Sequence, residues 1–230
     1  MFQTEKYMGQ LVNSLQECFG DRLVYVGLQG SYMRGEASEH SDIDPMVVID
    51  CLSVEDLDQY RLIVERLPDP HLSCGFICGK EDLANWNPLE ICHLLHTTAN
   101  VYGRLEGLVP SYSKVDVLNF AKLSVNNLYH EICHRYIHRS AEMNSAGIAN
   151  SYKNVFFILQ NIHYLRTGEF VIKKEDLLKQ LDGDDRHILQ VVMDLNNGVS
   201  YEFAWLFSLL YRWCKVAMER LSTTNWYDYV

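Results

Sequence analysis

No apolar run in this chain of 230 residues is long enough to cross a membrane. The longest, around Phe203 to Tyr211, falls far short of the roughly 20 residues that a spanning helix needs. The start, Met-Phe-Gln-Thr-Glu-Lys-Tyr-Met, lacks the basic region and apolar core of a secretory leader, so a cytoplasmic protein is expected. Positive charge is scarce as well: 20 Lys and Arg stand against 30 Asp and Glu, a formal net charge of −10. A general nucleic-acid surface needs clustered cations to displace the counterions of phosphate, so no nucleic-acid partner is expected and any phosphate ligand must be held locally. Cysteine occurs seven times, at 18, 51, 74, 78, 92, 133 and 214, without Cys-x-x-Cys pairs or an even disulfide framework. Most of these thiols read as small buried hydrophobes. Low-complexity tracts and internal repeats are missing too, which sets aside disorder and solenoid architectures.

What is present is patterned for α+β structure. Residues 4 to 19 place Tyr7, Met8, Leu11, Leu15 and Phe19 at helical spacing, closed by Gly20. The alternating run at 22 to 28 predicts a strand, residues 43 to 50 a second, and 71 to 78 a third. Between the last two, residues 53 to 66 predict a helix capped by Ser53 with Asp56 three residues on. The stretch from Glu81 to Gly103 reads as helical but broken. After Pro110 the pattern changes to helices alone, over 114 to 142, 148 to 166, 174 to 195 with a break at Gly183, and 199 to 221. Strands early and helices late predict a small mixed-sheet domain followed by a helical bundle, residues 1–110 and 111–230.

The chemistry gathers where the first two strands meet. Gly30-Ser31 follows the first strand, ten residues intervene, and Asp42-Ile43-Asp44 opens the second. Alternation along a strand turns Asp42 and Asp44 to one face. Two carboxylates on one face suit a hard divalent cation such as Mg2+, which is commonly held by one or two carboxylates together with substrate phosphates. A glycine ahead of Ser31 lets backbone approach a ligand closely, and a short helix beginning there can offer N–H groups to phosphate. The combination predicts nucleotidyl or phosphoryl transfer.

With the Arg34-Gly35-Glu36-Ala37 filler and Ser41 ahead of the first aspartate, this stretch resembles the signature of the DNA polymerase beta-type nucleotidyltransferase superfamily. Within it, the bacterial aminoglycoside adenylyltransferases and the minimal nucleotidyltransferases are most similar. The resemblance implies ATP as donor, Asp42 and Asp44 as metal ligands and catalytic groups, and Gly30, Ser31 and Ser41 as nucleotide contacts. The acceptor it implies is a hydroxyl on a small molecule or a protein. In the helical half, Leu165 to Glu175 resembles the segment from which a lysine of the aminoglycoside enzymes reaches the triphosphate, and this makes Lys174 the candidate. The family pattern also implies a third carboxylate on the next strand. Here that strand, His71 to Cys78, contains no acid, and Ser73 or Cys74 stands in its place. His71 can serve as a base if it faces the cleft, and a nucleotide-binding regulatory or antitoxin-like protein without turnover is the alternative.

Two further patterns compete. His130-Glu131-Ile132-Cys133-His134 matches the H-E-x-x-H zinc motif, but Ile137 and Ser140 stand where an extended motif needs Gly and a third His. Glu142 or Glu169 would then have to complete the ligand set. The aromatic run from Tyr201 to Trp213 is expected in the core of the bundle, with Tyr211 or Trp205 as possible pocket walls.

Overall fold

Helical spacing and strand alternation build the first unit, Met1–Tyr112, in the order the residues dictate. The computed structural model describes residues 4–38, 41–224 and 226. α1 (Thr4–Phe19) turns Tyr7, Met8, Leu11, Leu15 and Phe19 inward. Leu11 and Leu15 are fully buried, and each contributes about 1.5–3 kcal/mol relative to exposure. A single 3-10 turn leads into β1 (Leu23–Gln29), followed by α2 (Gly30–Arg34), β2 (Asp44–Ile49) and α3 (Val54–Glu65). The expected cap of α3 is a reciprocal capping box: the Ser53 hydroxyl accepts from the Asp56 N–H, and the Asp56 carboxylate accepts from the Ser53 N–H. β3 (Phe76–Gly79), α4 (Lys80–Ala84), α5 (Pro88–His96) and β4 (Ala99–Tyr102) complete the unit.

The strands lie in the order β3-β2-β1-β4, with β2 parallel to β3 and β1 antiparallel to both β2 and β4. Alternation along β2 divides the core. Ile43, Val47 and Ile49 join Leu11, Leu15 and Tyr60 on the face covered by α1 and α3. Met46 and Val48 join Tyr25, Cys78, Leu83 and Leu105 on the other face.

β4 corrects the expectation of a broken helix over residues 81 to 103. Three of its four residues are exposed, so a two-residue alternation never develops in the sequence, and pairing with β1 makes the strand. The third strand is also shorter than expected, because Pro70–Leu72 form a 3-10 turn and pairing to the second strand begins at an isolated Ile43–Ser73 bridge.

The second unit, Ser113–Val230, contains helices and no strand among its described residues. α6 (Lys114–His138) starts at a Ser113–Asp116 capping box, and α7 (Ala141–Thr167) ends at Gly168 in the left-handed conformation. α8 (Lys174–Gln180), α9 (Gly183–Asn196) and α10 (Phe203–Thr223) follow. Where one interrupted helix was expected over 174 to 195, Leu181 and Asp182 separate two. The segment between α7 and α8 is fastened from inside, since buried Gln160 donates through Nε2 to the Val171 carbonyl at 2.7 Å. Of the aromatic run on α10, Trp213 is buried as expected, whereas Trp205 is 40% exposed. Phe207 and Tyr211 are half-buried; Phe207 stacks on Tyr136 of α6, and Tyr211 packs at a tilt against Tyr129 of α6. Among the described residues no helix is long and apolar enough to cross a membrane.

Candidate active site

The antiparallel register of β1 and β2 sets Gln29 opposite Asp44, so the end of one strand meets the start of the next. Gly30 follows with φ +69, a left-handed backbone that costs any residue with a Cβ roughly 1–2 kcal/mol. Space demands glycine there as well: a Cβ at position 30 would lie 1.8 Å from Asp44 Oδ2. The backbone at Gly30 therefore lies directly against the Asp44 carboxylate. α2 begins at this residue and ends after one turn, where Gly35 donates to the Tyr32 carbonyl at 3.2 Å and Glu36 to the Ser31 carbonyl at 2.9 Å. A single turn has little macrodipole, so individual N–H groups must carry any hold on phosphate.

Among the described residues the Ser31 hydroxyl makes no hydrogen bond, and neither carboxylate of Asp42 and Asp44 makes a hydrogen bond or an ion pair. Asp42 is exposed and Asp44 half-buried. Burial pushes the Asp44 carboxyl above its usual range, the neighbouring Asp42 charge pushes it further, and Arg34 pulls the other way. Arg34 itself bonds Glu36, Nε to Oε2 at 3.0 Å. The sequence placed Arg34 only in the filler of the motif; its charge is felt by both Asp44 and His93. His93, on α5, is held down to about 4 by burial first, then by Arg34 and His96, so it is neutral near pH 7.

Ser41 has a local task. Its hydroxyl accepts from the Ser38 N–H at 2.8 Å and lies 3.2 Å from the Ser38 hydroxyl. Lys174, in the second unit, is half-buried with Nζ 4.8 Å from the centre of the Phe156 ring. The structure thus brings Gly30, Ser31, Ser41, Asp42 and Asp44 into one stretch of the first unit, while Lys174 belongs to the other.

The strand without an acid can be read residue by residue. A constant offset of thirty residues joins Ile43 to Ser73 and Met46 to Phe76, so Cys74 stands level with Asp44. Ile43 donates to the Leu72 carbonyl at 2.7 Å, and Cys74 donates to the Ile43 carbonyl at 2.8 Å. Ser73 lies on the α1 side, close enough to the Tyr7 phenol to offset part of the burial that raises its pKa. The position open between Ser73 and Cys74 therefore falls to Cys74, which is exposed. His71 is exposed in the preceding 3-10 turn.

The H-E-x-x-H segment assembles no metal centre among the described residues. His130, His134 and His138 form an exposed row with successive ring separations of 6.0 and 4.6 Å. Glu131, the residue a zinc peptidase would use as base, accepts from the Ser151 hydroxyl at 2.7 Å. The side chain of Glu142 lies outside the described residues.

Comparison with known proteins adds the fold's context. No family model matches the chain. A protein of Methanocaldococcus jannaschii, provisionally named a protein adenylyltransferase, is 36% identical over 63 residues, which cover 26% of this chain and 43% of that protein. The chain thus spans less than half the length of this curated relative. Spectinomycin adenyltransferase from Enterococcus faecialis, crystallised with ATP and spectinomycin, superposes with a TM-score of 0.60 at 15% identity, over 95% of this chain and 99% of that one. A toxin–antitoxin structure with AMP-PNP aligns over 56% of this chain and 92% of its own at 17% identity, with a TM-score of 0.32 too low to weigh. The expected α+β class and the resemblance to the nucleotidyltransferase superfamily are borne out at the level of fold.

Proposed function

We propose that the chain is a nucleotidyltransferase that moves AMP from ATP to a hydroxyl of an acceptor, with Met1–Tyr112 as the nucleotidyltransferase domain and Ser113–Val230 as a helical domain. The observation that carries this reading is the seat of Asp44: a carboxylate against the backbone of a left-handed glycine, with no hydrogen-bond or ion-pair partner among the described residues and a second carboxylate beside it. The spectinomycin enzyme that shares the fold was crystallised with ATP, which supports a nucleotide as the ligand of this end of the sheet.

The donor set fits a hard divalent cation. Asp42 and Asp44 offer only oxygen, and two neighbouring carboxylates with no ion-pair partner among the described residues gain from a cation between them. Bound there, Mg2+ would supply charge neutralisation for the phosphates and for the group in transfer. The protein's own part is then positioning. Gly30 lets the backbone come within reach of phosphate, the Ser31 hydroxyl donates to a phosphate oxygen, and Ser41, next to Asp42, is a further nucleotide contact. On the sequence resemblance alone Lys174 is the proposed phosphate contact, and Lys174→Ala is then expected to weaken ATP binding about tenfold, the worth of one charge-assisted hydrogen bond.

Calorimetry with ATP and Mg2+ tests the site. Wild type should bind with Mg2+-dependent affinity, and the Asp42→Ala/Asp44→Ala double variant should not. Equal affinity in the two proteins overturns the assignment.

A second reading, nucleotide binding without turnover, is favoured by one observation: Cys74, and no acid, stands level with Asp44. Pyrophosphate release with acceptors of varied chemistry separates the readings. Release by wild type supports transfer. Silence in wild type with turnover in Cys74→Asp would show a site that binds nucleotide but lacks its base.

A further inference from the structure

The outer side of α6 carries His130, His134 and His138, spaced i, i+4 and i+8, and all three rings are exposed. They lie opposite the buried positions Val125, Leu128 and Ile132, so the helix that presents them is anchored from behind. A zinc-peptidase centre on this segment would need a third protein ligand and an unengaged glutamate. Among the described residues no third ligand gathers, and Glu131 accepts from the Ser151 hydroxyl. A chelate of two imidazoles needs neither, and the chemistry proposed for Asp42 and Asp44 makes no use of these rings.

Ring separations decide whether two of the three can share an ion. A tetrahedral ion holds each imidazole nitrogen at about 2.0–2.1 Å, which sets the two ring centres about 5 Å apart. The centres of His134 and His138 are 4.6 Å apart, and those of His130 and His134 are 6.0 Å apart. A small turn about χ2, a broad torsion in histidine, brings either pair onto one ion without moving the helix. His130 and His138 stand about 12 Å apart along the axis and cannot share an ion. His134 is therefore common to both pairs. Imidazole nitrogen also selects the ion: it suits Zn2+, Ni2+ and Cu2+, whereas Mg2+ takes oxygen.

We propose that His134, with His138 or His130 as second ligand, binds one divalent transition-metal ion of the Zn2+, Ni2+ or Cu2+ class, with water in the remaining positions. The site lies on one helix of the second unit and stands independently of the nucleotidyltransferase reading. Calorimetric titration of the full chain with Zn2+, in excess Mg2+ to fill oxygen sites, tests it. Wild type should bind Zn2+ saturably. His134→Ala removes both pairs and should weaken that binding about a hundredfold, the advantage of a second ligand held close to the first. His130→Ala and His138→Ala each leave one pair intact and should lose far less. All three rings are exposed, so metal-free melting temperatures should equal that of wild type in every variant. The proposal is overturned if Zn2+ does not bind saturably, or if the three variants lose affinity equally, as for rings acting singly. It is overturned as well if His134→Ala binds Zn2+ as tightly as wild type, which would put the ion on other side chains.

Discussion

β2 has an acidic pair at each end, and the two ends are built in opposite ways. Beyond its C-terminal end, Asp50 and Asp56 share one arginine. Arg22 donates from Nε to Asp50 at 3.0 Å and from Nη1 and Nη2 to the two oxygens of Asp56 at 3.0 and 2.8 Å, and also reaches the Cys51 carbonyl. Asp56 caps α3 at the same time, and hydrogen bonds from Arg22 and the Ser53 backbone hold its carboxyl well below the usual range. At the N-terminal end, Asp42 and Asp44 have no such partners among the described residues, and burial and mutual repulsion push Asp44 upward. The same residue type is satisfied by the chain in one place and left for a ligand in the other. An acid that the fold completes by itself holds structure; one that it leaves uncompensated is where the proposed function puts a cation and phosphates.

Breaking this contrast by space should have the largest effect. Gly30→Ala puts a methyl where Asp44 Oδ2 lies and forces a non-glycine residue into positive φ. Both faults act at the ligand end alone. ATP–Mg2+ affinity is expected to fall by about a hundredfold or more, comparable with losing a metal ligand's support, with a stability cost of about 1–2 kcal/mol. Calorimetry and thermal melts of the same preparation check the two figures separately.

Removing charge at each end should split binding from stability. Asp44→Asn is expected to lower ATP–Mg2+ affinity about 10–100-fold while leaving the melting temperature in metal-free buffer unchanged or raised. Asp56→Asn should leave nucleotide affinity alone and lower the melting temperature. The signs follow from linkage. The folded-state pKa of Asp44 is raised, so its contribution to stability is fully present below the unfolded value and is lost as pH rises through the folded one. That of Asp56 is depressed, so its contribution is present above the unfolded value and is lost as pH falls through the folded one. Melts from neutral to acid pH should therefore show two differences of opposite sign at neutrality, both fading in acid. A destabilised Asp44→Asn at neutral pH would place Asp44 among the structural acids.

Much of this contrast was legible in the sequence. The α1 face, the α3 capping box and the Gly30-Ser31/Asp42-Ile43-Asp44 constellation are local patterns, set by residues a few positions apart. What the sequence did not disclose depends on pairing. Exposed β4 has no alternation to find and is a strand only because β1 offers it an edge. Whether Ser73 or Cys74 stands beside Asp44 follows from a parallel register with no sequence signature. Arg22 has no motif linking it to Asp50 and Asp56, 28 and 34 residues away, and Arg34 has none tying it to His93 on α5. The α10 aromatics were expected in the core from their number, but helical period leaves only one side of α10 facing inward, and Trp205 lies outside it.

The smallest change repeats the comparison with two serines. The Ser53 hydroxyl accepts the Asp56 N–H at 3.2 Å, whereas the Ser31 hydroxyl makes no hydrogen bond among the described residues. Ser53→Ala removes a helix cap, expected to cost about 1 kcal/mol and to lower the melting temperature by roughly 2–4 °C at unchanged nucleotide affinity. Ser31→Ala removes nothing that the fold uses, so its melting temperature should equal that of wild type. ATP affinity should fall by roughly tenfold, the lower end of the worth of one hydrogen bond to a charged phosphate oxygen. If Ser31→Ala bound ATP as well as wild type does, the hydroxyl would have no part in holding phosphate, and that hold would rest on the backbone at Gly30 and on the ion between the two aspartates.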